Sequence, residues 1–234
     1  MSPTDDTAPA ARTPSAAIEA VLFDVDGTLV DSNYLHVDAW HRAFQTLHTD
    51  VEAWRIHASI GQDAGQLLTS LVGEKPADWI DEAKSLHARH YRELAPRLRA
   101  FPQARELLST LAGEGVTVVL ATSAPDDELQ LLLEVLNVAD AIHATTNADD
   151  VDVAKPEPDI VQVALGRAGV SAGEAVFVGD SRWDMAAATR AGVTPFGVKC
   201  GGIAEHLLTE AGAERVFTDP ADLLGRRGSL GAAG

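Results

Sequence analysis

The sequence predicts an α/β protein: a parallel sheet with helices on both faces, interrupted after its first strand by an inserted helical module. Three observations carry this. Short apolar runs rich in β-branched residues alternate with stretches of helical spacing, the pattern of repeated strand–helix units. Several of those runs stop abruptly at an acid, a hydroxyl or a Gly-Asp pair. About ninety residues separate the first run from the second, far more than a strand-to-strand crossover needs.

Residues 1–17 are rich in Pro, Ala, Thr and Ser and lack the basic and apolar regions of a secretory signal, so a disordered leader is expected. The first strand is expected over 20–25, where Val21, Leu22, Phe23 and Val25 suit a strand buried on both faces. Asp24 and Asp26 alternate onto one side at its end, followed by Gly27. Two buried carboxylates cost several kcal/mol unless a cation or partner compensates. Asp-Gly is also a common turn signal, so the pair marks either a site or a capped strand. Residues 33–47, 65–72 and 77–95 show helical spacing with no convincing strand, which predicts an α-helical cap over 32–97 inserted in a core of 18–31 and 98–224. His36 lies barely two helical turns after the acids, placed either to pack on an amphipathic helix or to contact Asp26 or a substrate.

Beyond the insert, helices are expected over 103–113, 126–137, 157–168 and 183–191, and strands over 116–121, 141–145, 175–179, 194–198 and 215–218. The second run ends at Thr122-Ser123, whose hydroxyls suit either a helix start or donation to a phosphoryl oxygen. Lys155 precedes Pro156 in an extended loop before a helix and is either a solvated surface lysine or a charge for the site. The run 175–179 ends in Gly179-Asp180, with Asp184 four residues on, a metal-binding spacing. In open parallel sheets ligands sit outside the carboxyl ends of the strands, where all four segments fall. Residues 225–234 are expected to form a loose tail.

The ordered set Asp24-Val25-Asp26-Gly27-Thr28, Thr122-Ser123, Lys155 and Gly179-Asp180 with Asp184 resembles the haloacid dehalogenase-like hydrolase superfamily, in its helical-cap, phosphatase or β-phosphoglucomutase-like branch. The resemblance implies a Rossmann-like core whose cap closes over the active site. Asp24 would be the nucleophile that forms an aspartyl-phosphate, and Asp26 the acid that protonates the leaving oxygen and then deprotonates the attacking water. For that role Asp26 is expected to titrate well above Asp24. Thr122, Ser123 and Lys155 would hold the phosphoryl oxygens. Four carboxylates face one lysine, and all-oxygen ligation suits Mg²⁺. Its expected ligands are Asp24, Asp180 and Asp26, the last through its backbone carbonyl, with Asp184 binding through water or orienting the others.

Residues also separate the branches. The mutases grip a second phosphate with a cap-loop arginine, where this chain has Gln62; Arg55 stands nearby as a possible substitute. Dehalogenases of the superfamily lack the second acid, whereas Asp26 is present. Phosphonatases need a cap lysine, and Lys75 and Lys84 fall on polar faces. The expected activity is therefore Mg²⁺-dependent hydrolysis of a small phosphorylated metabolite. A sugar-phosphate mutase is the alternative, and a non-catalytic phospho-ligand-binding relative a third reading.

The net charge of -17 across 234 residues argues against nucleic acid as a partner, since Arg226-Arg227 is the only basic cluster. No apolar run approaches the roughly eighteen residues of a membrane span. Cys200 is the single cysteine, so no internal disulfide forms; a turn at Cys200 and a cytoplasmic location are expected. Monomer and homodimer remain equally open.

Overall fold

In the computed structural model, residues 18–151 and 153–231 are described. The expected leader, residues 1–17, and the last three residues of the expected tail lie outside them.

In chain order the elements are β1 (Ala20–Phe23), β2 (Val30–Asp31), α1 (Asn33–Thr46), α2 (Ala53–Ser59), α3 (Ala64–Val72), α4 (Ala77–Leu94), β3 (Arg99–Ala100), α5 (Ala104–Gly113), β4 (Thr117–Ala121), α6 (Asp126–Leu136), β5 (Ala144–Thr146), α7 (Asp159–Ala168), β6 (Ala175–Gly179), α8 (Arg182–Arg190), β7 (Thr194–Val198), α9 (Glu205–Glu210), β8 (Arg215–Phe217) and α10 (Pro220–Gly225). Six strands form one parallel sheet in the order β5-β4-β1-β6-β7-β8. The chain winds outward from β1 in both directions, which makes the ends of β1, β4 and β6 the switch point where such sheets bind ligands.

Burial on both faces explains why β1 reads as an unbroken apolar run. All four of its residues are fully buried, and they alternate between two cores. Val21 and Phe23 join Val118, Leu120, Val176 and Val178 beneath α5, α6 and α10, whereas Ala20 and Leu22 join Val119, Ala121 and Phe177 beneath α7 and α8.

The helices α1–α4 share a third cluster, including Trp40, Phe44, Ile56, Leu67 and Leu86, and α1 and α4 also turn Leu35, Ala39, Tyr91 and Leu94 toward the main core. The chain leaves and re-enters the sheet region through an antiparallel ribbon, β2 against β3, with Val30 opposite Ala100. Two-residue strands have no periodicity to detect, and the seven-residue α2 and six-residue α9 are little better, so none of these was foreseen.

Many expected boundaries shift by one residue, and β1 ends at Phe23, two residues short of the expected 25. The strand expected from 141 begins at Ala144, because 139–141 form a 3-10 turn. The helix expected from 157 begins at Asp159, after Pro158 at its N-cap. The described part of the expected tail is packed: Leu230 is buried in the main core, the Ile18 N–H donates to the Gly231 carbonyl at 3.1 Å, and Arg227 pairs with Glu114 at 2.8 Å. Counting Gly and Arg near the terminus hid one leucine that anchors the segment. Leu230→Ala is therefore expected to cost about 2 to 5 kcal/mol in urea denaturation, the range of a buried leucine truncation, where a loose tail would show no change.

Candidate active site

The polar residues gather where β1, β4 and β6 end. The Asp24 N–H donates to the Val178 carbonyl at 2.9 Å, which carries the sheet register one residue past β1 and fixes the acid against β6. Gly27 then turns the chain with φ +72°; a Cβ there would collide with Asn33 and the Asp180 carboxylate. Gly201 faces the same carboxylate from the loop after β7 and has no room for a Cβ either.

Lys155 is buried between two acids, its Nζ 2.7 Å from Asp24 Oδ1 and 2.8 Å from Asp184 Oδ1. The other oxygen of Asp184 accepts from the Ser181 N–H at 3.0 Å and the Ser181 hydroxyl at 2.6 Å, so Asp184 also caps α8. Asp180 accepts from Asn33 Nδ2 at 2.7 Å and from the Thr28 hydroxyl at 3.2 Å. The same hydroxyl lies 3.3 Å from Asp24 Oδ2. Carboxylate oxygens of Asp24, Asp180 and Asp184 lie within 4.8 Å of one another, and the three residues are 7, 3 and 1 % exposed.

Three buried acids against one ammonium leave the cluster short of positive charge. Burial raises Asp24 to about 7 despite Lys155, and burial together with Asp184 and Asp24 holds Asp180 well above its ordinary value. Burial works against the Lys155 ammonium too, but Asp184 and Asp24 outweigh it and raise its pKa. A close group of oxygen donors that resists ionising for want of a cation fits a small hard divalent metal ion.

Asp26 belongs to a different neighbourhood. Its carboxylate accepts from the Ser32 hydroxyl at 2.6 Å and stands 3.2 Å from His36 Nε2, so its side chain is not part of the metal-binding cluster. Burial works to raise Asp26, but the His36 hydrogen bond and charge, with the Ser32 hydroxyl, outweigh it and lower the pKa. Burial likewise opposes charge on His36, and Asp26 more than restores it. The His36 ring stacks on Tyr91, centroids 4.0 Å apart, so the contact is held by packing as well as charge.

Thr122 and Ser123 follow β4. The Thr122 Oγ1 accepts from the Ala124 N–H at 3.0 Å, and the Ser123 hydroxyl is buried with no partner among the described residues. Both line a cavity of 660 Å³ beneath the helical insert, together with Asp24, Asp26 and Lys155. The insert contributes His36, Trp40, Ile60, Gln62, Leu67 and His87 to its walls, and α6 contributes Glu128. Arg55 does not reach it, because its guanidinium is held by Glu52 at 3.3 Å and the Leu71 carbonyl at 3.0 Å. Lys84, expected on a polar face, is exposed but stands at the cavity rim. Cys200 lies in a turn with its thiol 3.2 Å from the Gly27 carbonyl, and burial, Asp180 and Asp219 raise its pKa.

His87 and Glu128 escaped the sequence reading. Glu128 stands with Asp126 and Asp127 in the first turn of α6, where acids suit the helix dipole, and His87 is one of several histidines on α4. Only the packing of α4 over α6 brings them together.

A family profile for haloacid dehalogenase-like hydrolases matches residues 18–192. A phosphoglycolate phosphatase of Yersinia pseudotuberculosis is 33 % identical over 215 residues, covering 89 % of this chain and 92 % of the relative. One from Rhodospirillum rubrum is 34 % identical over 218 residues, covering 88 % and 89 %. The crystal structure of a hydrolase from Pseudomonas syringae superposes with a TM-score of 0.88 at 36 % identity, covering 92 % of this chain and 99 % of that one. The chain belongs to the haloacid dehalogenase-like hydrolase family and stands among its phosphatases.

Proposed function

We propose that the protein hydrolyses a small phosphomonoester through covalent attack by Asp24. The observation that carries this is the placement of Asp24, in contact with Lys155 and within 4.8 Å of Asp180 and Asp184, at the floor of a cavity that Asp26 also lines.

Asp24 attacks phosphorus, the bond to the leaving oxygen breaks, and that oxygen takes a proton from the Asp26–His36 pair. Water then attacks the aspartyl-phosphate and gives a proton to Asp26, so the Asp26–His36 pair regains the proton it lost; the bond from phosphorus to Asp24 breaks, phosphate is released and Asp24 is freed as a carboxylate. Lys155, Thr122 and Ser123 hold the phosphoryl oxygens as charge moves onto them. A phosphoryl dianion beside Asp26 favours its protonated form, against the pull of His36 and Ser32. Mg²⁺ held by Asp24, Asp180 and the backbone carbonyl of Asp26, with Asp184 orienting the set, would add positive charge beside the transferring group. Two findings support a cytoplasmic location: among the described residues no helix is long and apolar enough to cross a membrane, and the chain has one cysteine.

Phosphate release from a panel of phosphomonoesters, including p-nitrophenyl phosphate and 2-phosphoglycolate, tests the reading. Wild type inert across the panel with Mg²⁺ present would overturn it. Asp24→Asn is expected to lower turnover at least about a thousandfold on every substrate, because the nucleophile is lost. Asp26→Asn should lower it about a hundredfold or more for alkyl phosphates but much less for p-nitrophenyl phosphate, whose phenolate leaves without a proton.

Metal dependence should follow the raised acids. Between 3.8 and about 7 the folded Asp24 carboxyl binds more protons than the unfolded one, so ionising it costs the metal-free fold stability as pH climbs through that window. A cation removes that cost only by displacing the proton. The rise in melting temperature on adding Mg²⁺ is therefore expected to be larger at about pH 8 than at about pH 5, and a pH-independent rise would contradict it.

A further inference from the structure

We infer that Glu128 and His87 form a subsite for a hydroxyl of the leaving group, so that the favoured substrates are phosphate esters of uncharged, hydroxylated alcohols and not of hydroxy acids. This rests on the phosphomonoester hydrolysis proposed above and says which alcohol departs.

Glu128 enters the cavity from α6 and His87 from α4 of the insert, and both are almost wholly buried. The His87 Nδ1 stands 3.8 Å from Glu128 Oε1, too far for a hydrogen bond. The other ring nitrogen is already engaged, 3.1 Å from His36 Nδ1. Trp40 stacks on the ring at 4.2 Å and sets its direction, so the open nitrogen stays facing the carboxylate. Buried polar groups without partners are costly, and a separation of 3.8 Å lets one oxygen lie about 2.8 Å from both. With the His36 Nδ1–H donating to His87 Nε2, the His87 Nδ1–H donates to the hydroxyl oxygen, and the hydroxyl donates to Glu128.

A carboxylate is poorly matched to the same place. It would face Glu128 directly, and no arginine lines the cavity among the described residues. Lys155 stands at the phosphoryl end of the cavity, between Asp24 and Asp184, and Lys84 is exposed at the rim. Burial also raises Glu128 to about 7, so near neutrality its carboxyl is able to donate as well as accept. The leaving oxygen placed at Asp26 lies beside His36, the same ring that contacts His87, so the subsite is one imidazole further along the cavity wall.

The test compares kcat/KM of wild type, Glu128→Ala and the isosteric Glu128→Gln on glycerol 3-phosphate and glucose 6-phosphate, on 2-phosphoglycolate, and on p-nitrophenyl phosphate, with Mg²⁺ present and unfolding curves recorded for each variant. In wild type the better hydroxylated ester should exceed 2-phosphoglycolate by about tenfold or more. Glu128→Ala should reduce the ratio of that ester to p-nitrophenyl phosphate by about tenfold, chiefly through KM, with Glu128→Gln retaining part of it. Wild-type preference for 2-phosphoglycolate, or an unchanged ratio in a Glu128 variant that unfolds like wild type, would overturn the subsite while leaving the phosphatase reading intact. Failure to release phosphate from any of the four esters would overturn both.

Discussion

The buried lysine between Asp24 and Asp184 is the contact around which the site is arranged. Its three members come from positions far apart in the chain and meet because β1 pairs with β6 and the loop between β5 and α7 brings Lys155 to the same end of the sheet. Removing Lys155 would leave two buried acids without their cation, which is far costlier than the net worth of the pair. The ammonium stays charged because two acids outweigh its burial, and those acids stay close because the ammonium lies between them. Asp180 is left with only neutral donors, from Asn33 and Thr28. That shortage of positive charge gives the cluster its capacity for a metal ion.

A single residue, Val25, separates Asp24 from Asp26, yet their surroundings differ in kind. Asp24 is bound to the core, with Lys155 and the end of β6, whereas Asp26 answers to Ser32 and His36 at the start of the insert. Roles for paired carboxylates are set by such differences. Here the pull on Asp26, from His36 and Ser32, is toward the ionised form. An insert that repositioned His36 would change the proton affinity of Asp26 without touching Asp24.

What was legible in the sequence was what depends on neighbours in the chain. The apolar run of β1, the acids after it and the Gly-Asp after β6 are local patterns, because burial on both faces of a parallel strand leaves no choice of residue. The β2–β3 ribbon was too short to show any period, and Leu230 was one apolar residue among small and basic ones. The pull on Asp26 comes from the His36 imidazole, ten positions away, whose reach only the geometry of α1 establishes. His87 and Glu128 were illegible for a stronger reason: neither has local meaning, and their relation exists only across the boundary between insert and core.

That boundary is where chemistry and selection become inseparable. The N-cap and first turn of α1 supply Ser32 to Asp26, Asn33 to both Asp180 and the Gly201 carbonyl, and His36 to Asp26 again. The same helix, through Trp40, sets the direction of the His87 ring in the upper cavity. A single helix thus touches Asp26, Asp180 of the buried acidic cluster and the cavity wall formed by His87. A leaving group that fits poorly against His87 and Glu128 would disturb α1, and a disturbed α1 loosens the hydrogen bonds on Asp26 and Asp180 together. Discrimination built in this way acts on turnover as well as binding, because the insert holds part of the catalytic apparatus and does not merely cover it.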